Sequence, residues 1–302
     1  MSIPSEKQNT TTQNLNPVLN ESGIFEENFL IMTDALRNNR QLSAIIDEIA
    51  NVAGYIWQKG WAEKNAGNIS VSLKDVITIS AGECRDLPHR ELPAPMDNLS
   101  GTCFLVTGTG KRMRDIAKNP LLNILIIRVD ETGKGYNIIE PTESELLTTL
   151  RPTSELSSHL SIHSMNAERG SKHRVVIHTH ANELCALTQA SEFCDEKVLN
   201  RILWGMHPET KVFIPAGVGF VQYLLPGSDA IAMATVESLR NHDVALWEKH
   251  GVFAIGDNAD NTFDIIDILA KSASIFFTCR AAGIEPEGLT DNQIDELGKL
   301  IF

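Results

Sequence analysis

The chain has 302 residues, with 26 lysine and arginine residues against 39 aspartate and glutamate residues, a formal net charge of −13. This excess of negative charge argues against nucleic acid and against anionic membranes as partners. The five cysteines form no Cys-x-x-Cys pair, no apolar run is long enough to span a membrane, and residues 1–20 lack the apolar core of a signal peptide, so a reducing, cytoplasmic location is expected.

The N-terminal residues 1–24 are rich in Asn, Thr, Gln and Ser, and they are predicted to form a flexible or disordered arm. Residues 25–302 contain no stretch typical of a linker, so one domain is expected there. A helix is predicted over residues 42–60, because apolar side chains recur there at the three-four spacing of a single helix face. A strand is predicted to follow at residues 69–73.

The rest of the chain alternates short apolar runs with longer periodic segments. Helices are predicted over residues 155–168, 226–241 and 261–282, and Ser228 is the expected N-cap of the second. A proline-rich connection is expected over residues 88–95. Strands joined by both turns and helices predict an α/β fold, a three-layer single domain with a central, mixed or largely antiparallel sheet flanked by helices. Strands are predicted around His250 and over residues 104–106, 123–129, 133–139, 174–177 and 211–215.

Three histidines give the strongest chemical signal. His178 and His180 stand two residues apart at the end of a predicted strand, so their imidazoles project from the same face. His250 lies between two apolar runs and is predicted to end another strand. Three imidazoles with a fourth position open is typical of a catalytic zinc site. The alternative is that these are ordinary polar histidines at a sheet edge.

Two short segments offer donors to an anion. Asn65 and Asn68 flank Gly67 where the first helix gives way to a strand, and their amides can donate to an anion, although a plain turn is the alternative. Residues 107–111, Thr-Gly-Thr-Gly-Lys, offer hydroxyls and backbone N–H groups that can hold phosphate oxygens. They lack the residue spacing of a Walker A loop, so this segment gives only weak support to a nucleotide site.

A third segment, Pro152 to Glu155, has two interpretations. Proline, two hydroxyl residues and then Glu155 are typical of a helix start, with the carboxylate in the first turn near the positive end of the dipole. The same N-terminus is also an anion site, with the Thr153 and Ser154 hydroxyls beside free N–H groups.

These segments occur in the order found in the class II, zinc-dependent aldolases, which the chain resembles from about residue 45 to residue 283. The resemblance implies a class II aldolase domain over residues 25–302, one zinc ion per subunit, a small phosphorylated ketose as substrate, and a homotetramer with its sites at subunit interfaces. Four further segments resemble the rhamnulose-phosphate branch of that family, namely residues 203–205, 215–219, 225–229 and 246–253.

The resemblance also implies a role for each matching residue. The zinc ligands would be His178, His180 and His250. Glu155 would be the catalytic base, and Glu209 a second catalytic acidic residue near the aldehyde, although the sequence around Glu209 departs from the family pattern. The substrate and phosphate pocket would comprise Asn65, Gly67, Asn68, Thr109, Gly110, Thr153 and Ser154.

The implied reaction is retro-aldol cleavage of L-rhamnulose 1-phosphate to dihydroxyacetone phosphate and L-lactaldehyde, a step of rhamnose catabolism. Another ketose-phosphate aldolase or a ribulose-phosphate 4-epimerase of the same superfamily is the alternative, but such epimerases typically carry Asp where Glu155 stands. A non-catalytic scaffold domain of this fold has no need of three ligands together with a base. A metallohydrolase would leave the anion segments unused.

Overall fold

The computed structural model describes residues 38–85, 87–140 and 151–300. The arm expected over residues 1–24 lies outside them, and the assignment of residues 25–302 to one domain stays a prediction. Within the described ranges, nine strands form one sheet, and helices pack against it. The expected α/β fold with a largely antiparallel, mixed sheet is therefore confirmed.

The strands are β1 Asn68–Ser72, β2 His89–Glu91, β3 Cys103–Thr107, β4 Ile124–Val129, β5 Gly135–Glu140, β6 Val175–Thr179, β7 Gly219–Val221, β8 Val244–Trp247 and β9 Gly251–Gly256. They lie in the sheet in the order β2-β5-β4-β3-β1-β6-β9-β8-β7. Neighbouring strands pair antiparallel throughout this sheet, apart from the parallel pair β7–β8.

The α-helices are α1 Arg40–Gln58, α2 Met113–Ile116, α3 Leu156–Glu168, α4 Asn182–Leu187, α5 Glu196–Met206, α6 Pro208–Phe213, α7 Asp229–Leu239, α8 Ala259–Ala281 and α9 Asp291–Leu297. In the described part of the chain, no helix is both long enough and apolar enough to traverse a lipid bilayer.

Two apolar cores lie on opposite faces of the sheet at β6, β8 and β9, which gives the three expected layers. Successive side chains of a strand point to opposite faces, so Val175 and Ile177 of β6 join one core while Val176 joins the other. The first core includes the apolar faces of α1 and α8, and the second includes those of α3 and α7. Helix α7 begins at the predicted cap, since the Ser228 hydroxyl accepts a hydrogen bond from the Ile231 N–H.

Strand register brings distant segments together at one edge of the central strands. Asn68 at the start of β1 lies opposite His178 near the end of β6. Gly108, just beyond β3, forms an isolated antiparallel bridge with Pro152, which precedes α3. The turn between β8 and β9 lies beside the end of β6, because Thr179 pairs with Val252. Every segment singled out in the sequence for metal or anion binding therefore ends near this edge.

The strand predicted over residues 211–215 is wrong, because residues Pro208–Phe213 form helix α6. Pro208 occupies the first turn of that helix, where a missing N–H costs nothing. The Thr210 side chain points inward and shares a hydrogen bond of 2.6 Å with the Ser272 hydroxyl of α8. A run of three apolar residues was too short to distinguish strand from helix without these contacts.

Two other local predictions need correction. His250 does not end a strand; it lies in the tight turn between β8 and β9, where Lys249 has a φ of 58°. The proline-rich residues 88–95 are not only a connection, because His89–Glu91 pair with β5 as an edge strand. Edge strands tolerate neighbouring prolines, since one side of the strand makes no ladder hydrogen bonds.

Candidate active site

The three histidines singled out in the sequence meet at one point. One ring nitrogen from each of His178, His180 and His250 lies within 4.8 Å of the other two. His178 lies in β6, His180 follows its end, and His250 comes from the β8–β9 turn. Their separation is short enough for one ion to reach all three imidazoles, which is the arrangement of a three-histidine metal centre.

The surrounding groups orient two of these imidazoles. The Nδ1 of His178 lies 3.1 Å from the Val252 carbonyl oxygen, to which it donates, so its Nε2 carries the free lone pair. That Nε2 is buried and has no hydrogen-bond partner among the described residues. The Nδ1 of His180 lies 2.8 Å from the Glu63 carboxylate. Such outer partners commonly fix the ring orientation of metal ligands, so the donor set fits a divalent metal ion.

Burial favours the neutral form of two of the three histidines. Burial, followed by the neighbouring His180 and His250, lowers the pKa of His178 well below its ordinary value. Burial and His180 also lower the pKa of His250. Imidazole binds metal only when neutral, so a lowered pKa removes the proton that would compete with the ion.

Gly251 allows the three rings to come this close. A Cβ on Gly251 would lie 2.6 Å from the Thr179 carbonyl oxygen, and 2.9 Å and 3.0 Å from ring carbons of His180 and His178. Any larger residue would therefore push the histidine rings apart. Gly67 has a similar constraint, with a φ of +80° and a Cβ position 3.1 Å from the His178 carbonyl oxygen.

Glu155 lies beside the histidine cluster. Its Oε2 accepts a hydrogen bond of 2.8 Å from the Asn68 amide nitrogen and lies 3.7 Å from the His178 Nε2. Only 12% of its side chain is exposed. Glu155 is the N-cap of α3 rather than part of its first turn, and its side chain makes no capping bond, because the carboxylate turns toward Asn68. The Thr153 hydroxyl instead accepts a hydrogen bond from the Glu155 N–H.

The segments predicted to bind an anion lie against one another. Backbone hydrogen bonds of 2.8 Å and 2.9 Å join Thr109 to Arg151 and Thr153 to Thr107, which ties the glycine-rich loop to the start of α3. Together with the histidines they enclose a cavity of about 220 Å³. Its lining residues are Asn65, Ala66, Gly67, Asn68, Gly108, Thr109, Gly110, Thr153, Ser154, Glu155, His178, His180, Pro226 and His250.

Glu209 is the one predicted site residue that the structure does not place at this cavity. It lies in the first turn of α6, half of its side chain is exposed, and its carboxylate is 3.1 Å from the His207 Nε2. Met206, at the end of α5, is partly buried against the core. Within the described residues of one subunit, Glu209 therefore lacks contact with the cluster that holds Glu155.

Sequence reasoning missed some residues at the site. Pro226 lines the cavity, but the sequence marked it only as part of the family-like segment 225–229, with no role at the site. Glu63 contacts His180, yet nothing in the sequence distinguishes it from other exposed carboxylates. The signal that does exist is at Gly251, because a glycine next to a ligand in a tight turn is typical of close packing.

The chain is similar in sequence to known proteins of one family. The family model described as "Class II Aldolase and Adducin N-terminal domain" matches residues 47–277. The rhamnulose-1-phosphate aldolase of Bacteroides thetaiotaomicron is 39% identical over 267 residues, covering 88% of this chain and 97% of that protein. The rhamnulose-1-phosphate aldolase of Mannheimia succiniciproducens is 38% identical over 231 residues, covering 76% of this chain and 83% of that protein.

The solved structures include a similar fold. The crystal structure of a sugar-phosphate aldolase from Thermotoga maritima superimposes with a TM-score of 0.70 at 32% sequence identity. The match covers 82% of this chain and 100% of that chain. The sheet and its helices are thus shared across the whole of that domain.

Proposed function

Because the chain belongs to the class II aldolase family and is therefore a lyase, we propose that it cleaves L-rhamnulose 1-phosphate into dihydroxyacetone phosphate and L-lactaldehyde. The relatives of that name, matched over most of their length, support this substrate. The observation that carries the proposal is the convergence of three histidines, Glu155 and the two anion segments on one cavity. The five free cysteine thiols support a cytoplasmic location as part of the same proposal.

We assign one zinc ion per subunit to His178, His180 and His250. This metal site is part of the proposal, and the family is metal-dependent. An ion held there would supply Lewis-acid stabilisation of negative charge on the substrate oxygens. The Val252 carbonyl and the Glu63 carboxylate hold two of the imidazoles in the orientation that such binding needs.

Glu155 is assigned the proton transfer. When the C3–C4 bond of the ketose breaks, C3 must gain a proton to become the hydroxymethyl carbon of dihydroxyacetone phosphate, and the C4 hydroxyl must lose one. The Glu155 carboxylate lies 3.7 Å from the His178 Nε2, so it faces the space beside the three imidazoles that would hold the metal ion. Its hydrogen bond to Asn68 limits the directions in which it can point.

The phosphate is assigned to the neutral donors that line the same cavity. Asn65, Asn68, Thr109, Thr153 and Ser154 provide amide and hydroxyl donors there, and Gly67 and Gly110 leave the backbone N–H groups open. Neutral donors suit this task in a chain of net charge −13, because they bind a dianion by short-range hydrogen bonds rather than by long-range attraction.

Substitution of Thr109 by Ala is expected to weaken selection for the phosphate. Loss of one hydrogen bond to a charged group costs about 1.5–3 kcal/mol, which lowers kcat/KM for the phosphorylated ketose about 10- to 100-fold. The same change should alter kcat/KM for the free sugar less than about threefold. The measurement is the ratio of these two constants in wild type and variant.

Thr132→Ala is the matched control for Thr109→Ala. Thr132 is an exposed threonine in the β4–β5 turn, and its hydroxyl bonds within that turn, to the Asp130 carboxylate and the Lys134 N–H. The ratio of kcat/KM for the phosphorylated ketose to kcat/KM for the free sugar should be the same in Thr132→Ala as in the wild type. Equal losses on the phosphorylated and the free sugar in Thr109→Ala would make Thr109 a turn former and would contradict its assignment.

A substrate panel tests the proposed function. The zinc-loaded protein is incubated with L-rhamnulose 1-phosphate, L-fuculose 1-phosphate and L-ribulose 5-phosphate, and both the release of dihydroxyacetone phosphate and epimerisation at C4 are measured. The proposal predicts the highest kcat/KM for L-rhamnulose 1-phosphate. A higher kcat/KM for L-fuculose 1-phosphate would support the proposed aldol cleavage but contradict the proposed substrate. Epimerisation of L-ribulose 5-phosphate without cleavage would contradict the proposed reaction.

We also propose a homotetramer in which Glu209 reaches the active site of a neighbouring subunit. Glu209 is exposed and lies away from its own cavity, so it can act there only from another copy. The rim beside Pro226 is apolar and exposed, with Leu225 exposed by 68% and Tyr223 by 62%. Such a rim is typical of a surface that another chain covers.

Mixing two inactive variants tests this arrangement. Glu155→Ala and Glu209→Ala proteins, dissociated and reassembled together, should regain activity, because some mixed tetramers then hold a site with both carboxylates intact. The measurement is dihydroxyacetone phosphate release after mixing, with native mass spectrometry to show mixed tetramers. Glu155→Ala mixed with Glu155→Gln is the control and should stay inactive. Mixed tetramers without activity would contradict the contribution of Glu209 to a neighbour.

A further inference from the structure

A chain of buried hydrogen bonds runs from Glu155 into the core. The Asn68 amide nitrogen donates to the Glu155 carboxylate at 2.8 Å, and the Asn68 amide oxygen is hydrogen-bonded to the Nε2 of His159. The Nδ1 of His159 lies 2.7 Å from the Ser70 hydroxyl, which in turn lies 2.8 Å from the Nε2 of His163. The cavity described above contacts only the outer two members, Asn68 and Glu155.

Secondary structure places these five groups in a row. Asn68 and Ser70 are two residues apart on β1, so both project from the same face of the sheet. Glu155, His159 and His163 are spaced four apart along the start and body of α3, so they share one face of that helix. Helix α3 lies over β1, and the hydrogen bonds alternate between side chains of the helix and side chains of the strand.

Members of this row are almost fully removed from water. His159 and Ser70 are 0% exposed, and His163 is 3% exposed. Burial lowers the pKa of both histidines to about 3, so each is a neutral imidazole with one N–H donor and one lone pair. Burying polar side chains in an apolar core is unfavourable unless their polar atoms form hydrogen bonds.

The hydrogen bonds can run in only one direction if every atom is satisfied. The Glu155 carboxylate accepts, so the Asn68 NH2 must face it and the Asn68 oxygen must accept from the His159 Nε2–H. The Nδ1 of His159 is then unprotonated and accepts from the Ser70 hydroxyl. Ser70 in turn accepts from the Nε2–H of His163. Reversal of any one link would turn the Asn68 oxygen toward the carboxylate.

We infer that Ser70, His159 and His163 are positioning residues, which lock the Asn68 amide in the orientation that holds the Glu155 carboxylate in place for proton transfer. This inference rests on the proposed role of Glu155. The row holds the carboxylate rather than conducting protons, because the Asn68 amide has no proton that it can readily pass between the His159 ring and Glu155. Misplacement of a reacting group by about 1 Å can lower turnover about 100-fold.

A double-mutant cycle tests the inference. Ser70→Ala in the otherwise wild-type protein should lower kcat about 10- to 100-fold with metal content unchanged. In a Glu155→Gln background, the same Ser70→Ala change should lower the residual kcat less than about twofold, because Ser70 acts only through that carboxylate. A purely structural role would lower kcat by the same factor in both backgrounds, and that result would overturn the inference.

Thr262→Val is the matched control in both backgrounds. It removes a buried hydroxyl and its hydrogen bond to the Asn258 carbonyl at the start of α8, outside the row. It should leave kcat unchanged in each. A wild-type protein that releases no dihydroxyacetone phosphate would overturn the proposed function and this inference with it, whereas an active wild type with equal Ser70→Ala losses overturns this inference alone.

A second pair of variants covers the case in which Ser70→Ala does not fold. His159→Gln keeps an N–H donor near the position of Nε2, and His159→Leu keeps similar volume without any donor. The Gln variant should retain at least about tenfold more kcat than the Leu variant at equal metal content, since misplacing the carboxylate is the larger effect. Equal kcat values in the two variants would overturn the inference.

Discussion

Substitution of Glu155 by Gln is expected to lower kcat for ketose cleavage about 10²- to 10⁴-fold while the bound metal remains. A placed acid or base typically contributes that much, and the amide keeps the size of the carboxylate but cannot exchange the proton. The Glu155 side chain contacts Asn68 and lies 3.7 Å from His178, so the change leaves the three imidazoles in place. The measurements are steady-state kcat and zinc per chain by mass spectrometry.

Glu168→Gln is the control for this experiment. Glu168 lies exposed at the other end of the same helix, α3, and the same chemical change there should alter kcat less than about twofold. A Glu155→Gln protein with a near wild-type rate and normal zinc content would show that Glu155 is only a helix N-cap. A protein that loses zinc would instead make Glu155 a metal ligand and contradict its assignment as the base.

Removal of the metal is expected to abolish cleavage. Chelation should reduce kcat to the background rate, and one equivalent of zinc per chain should restore it, because the ion is the only proposed source of Lewis-acid stabilisation. His178→Ala should prevent reconstitution altogether. Glu63→Gln should weaken zinc binding about 10- to 100-fold, as expected for the loss of a partner that orients a ligand. A competition titration with a fluorescent chelator measures both variants.

His173→Ala provides the matched control, because His173 is partly exposed and lies near Asp243 and Asp257 rather than at the cluster. Its zinc affinity should equal that of wild type. Borohydride added with substrate should leave the enzyme unmodified, since no lysine lines the cavity among the described residues. Trapping of a covalent adduct, or full activity in the chelated protein, would contradict the metal-dependent reaction.

Local pattern was sufficient to predict much of this fold. The apolar periodicity of α1 predicted its buried face, and Leu42, Ile45 and Ile49 are indeed buried. The same reasoning failed for α6, where residues 211–215 were predicted as a strand. The run there is short, and Pro208 in the first turn was the better indication of a helix.

The site depends on register that no local pattern contains. His178 and His180 could be paired from their spacing alone, but their approach to His250 and Asn68 comes from strand pairing across the sheet. The buried row was missed for a different reason. Helix α3 buries polar residues, including His159 and His163, among its apolar ones, so the apolar pattern did not show that these histidines face inward.

The most direct test of the central claim measures both products of L-rhamnulose 1-phosphate in the presence of the zinc-loaded and the chelated protein. We expect equal amounts of dihydroxyacetone phosphate and L-lactaldehyde from the zinc-loaded protein, and neither product above background from the chelated one. Recovery of the substrate unchanged from the zinc-loaded protein, or product formation that survives chelation, would contradict the claim.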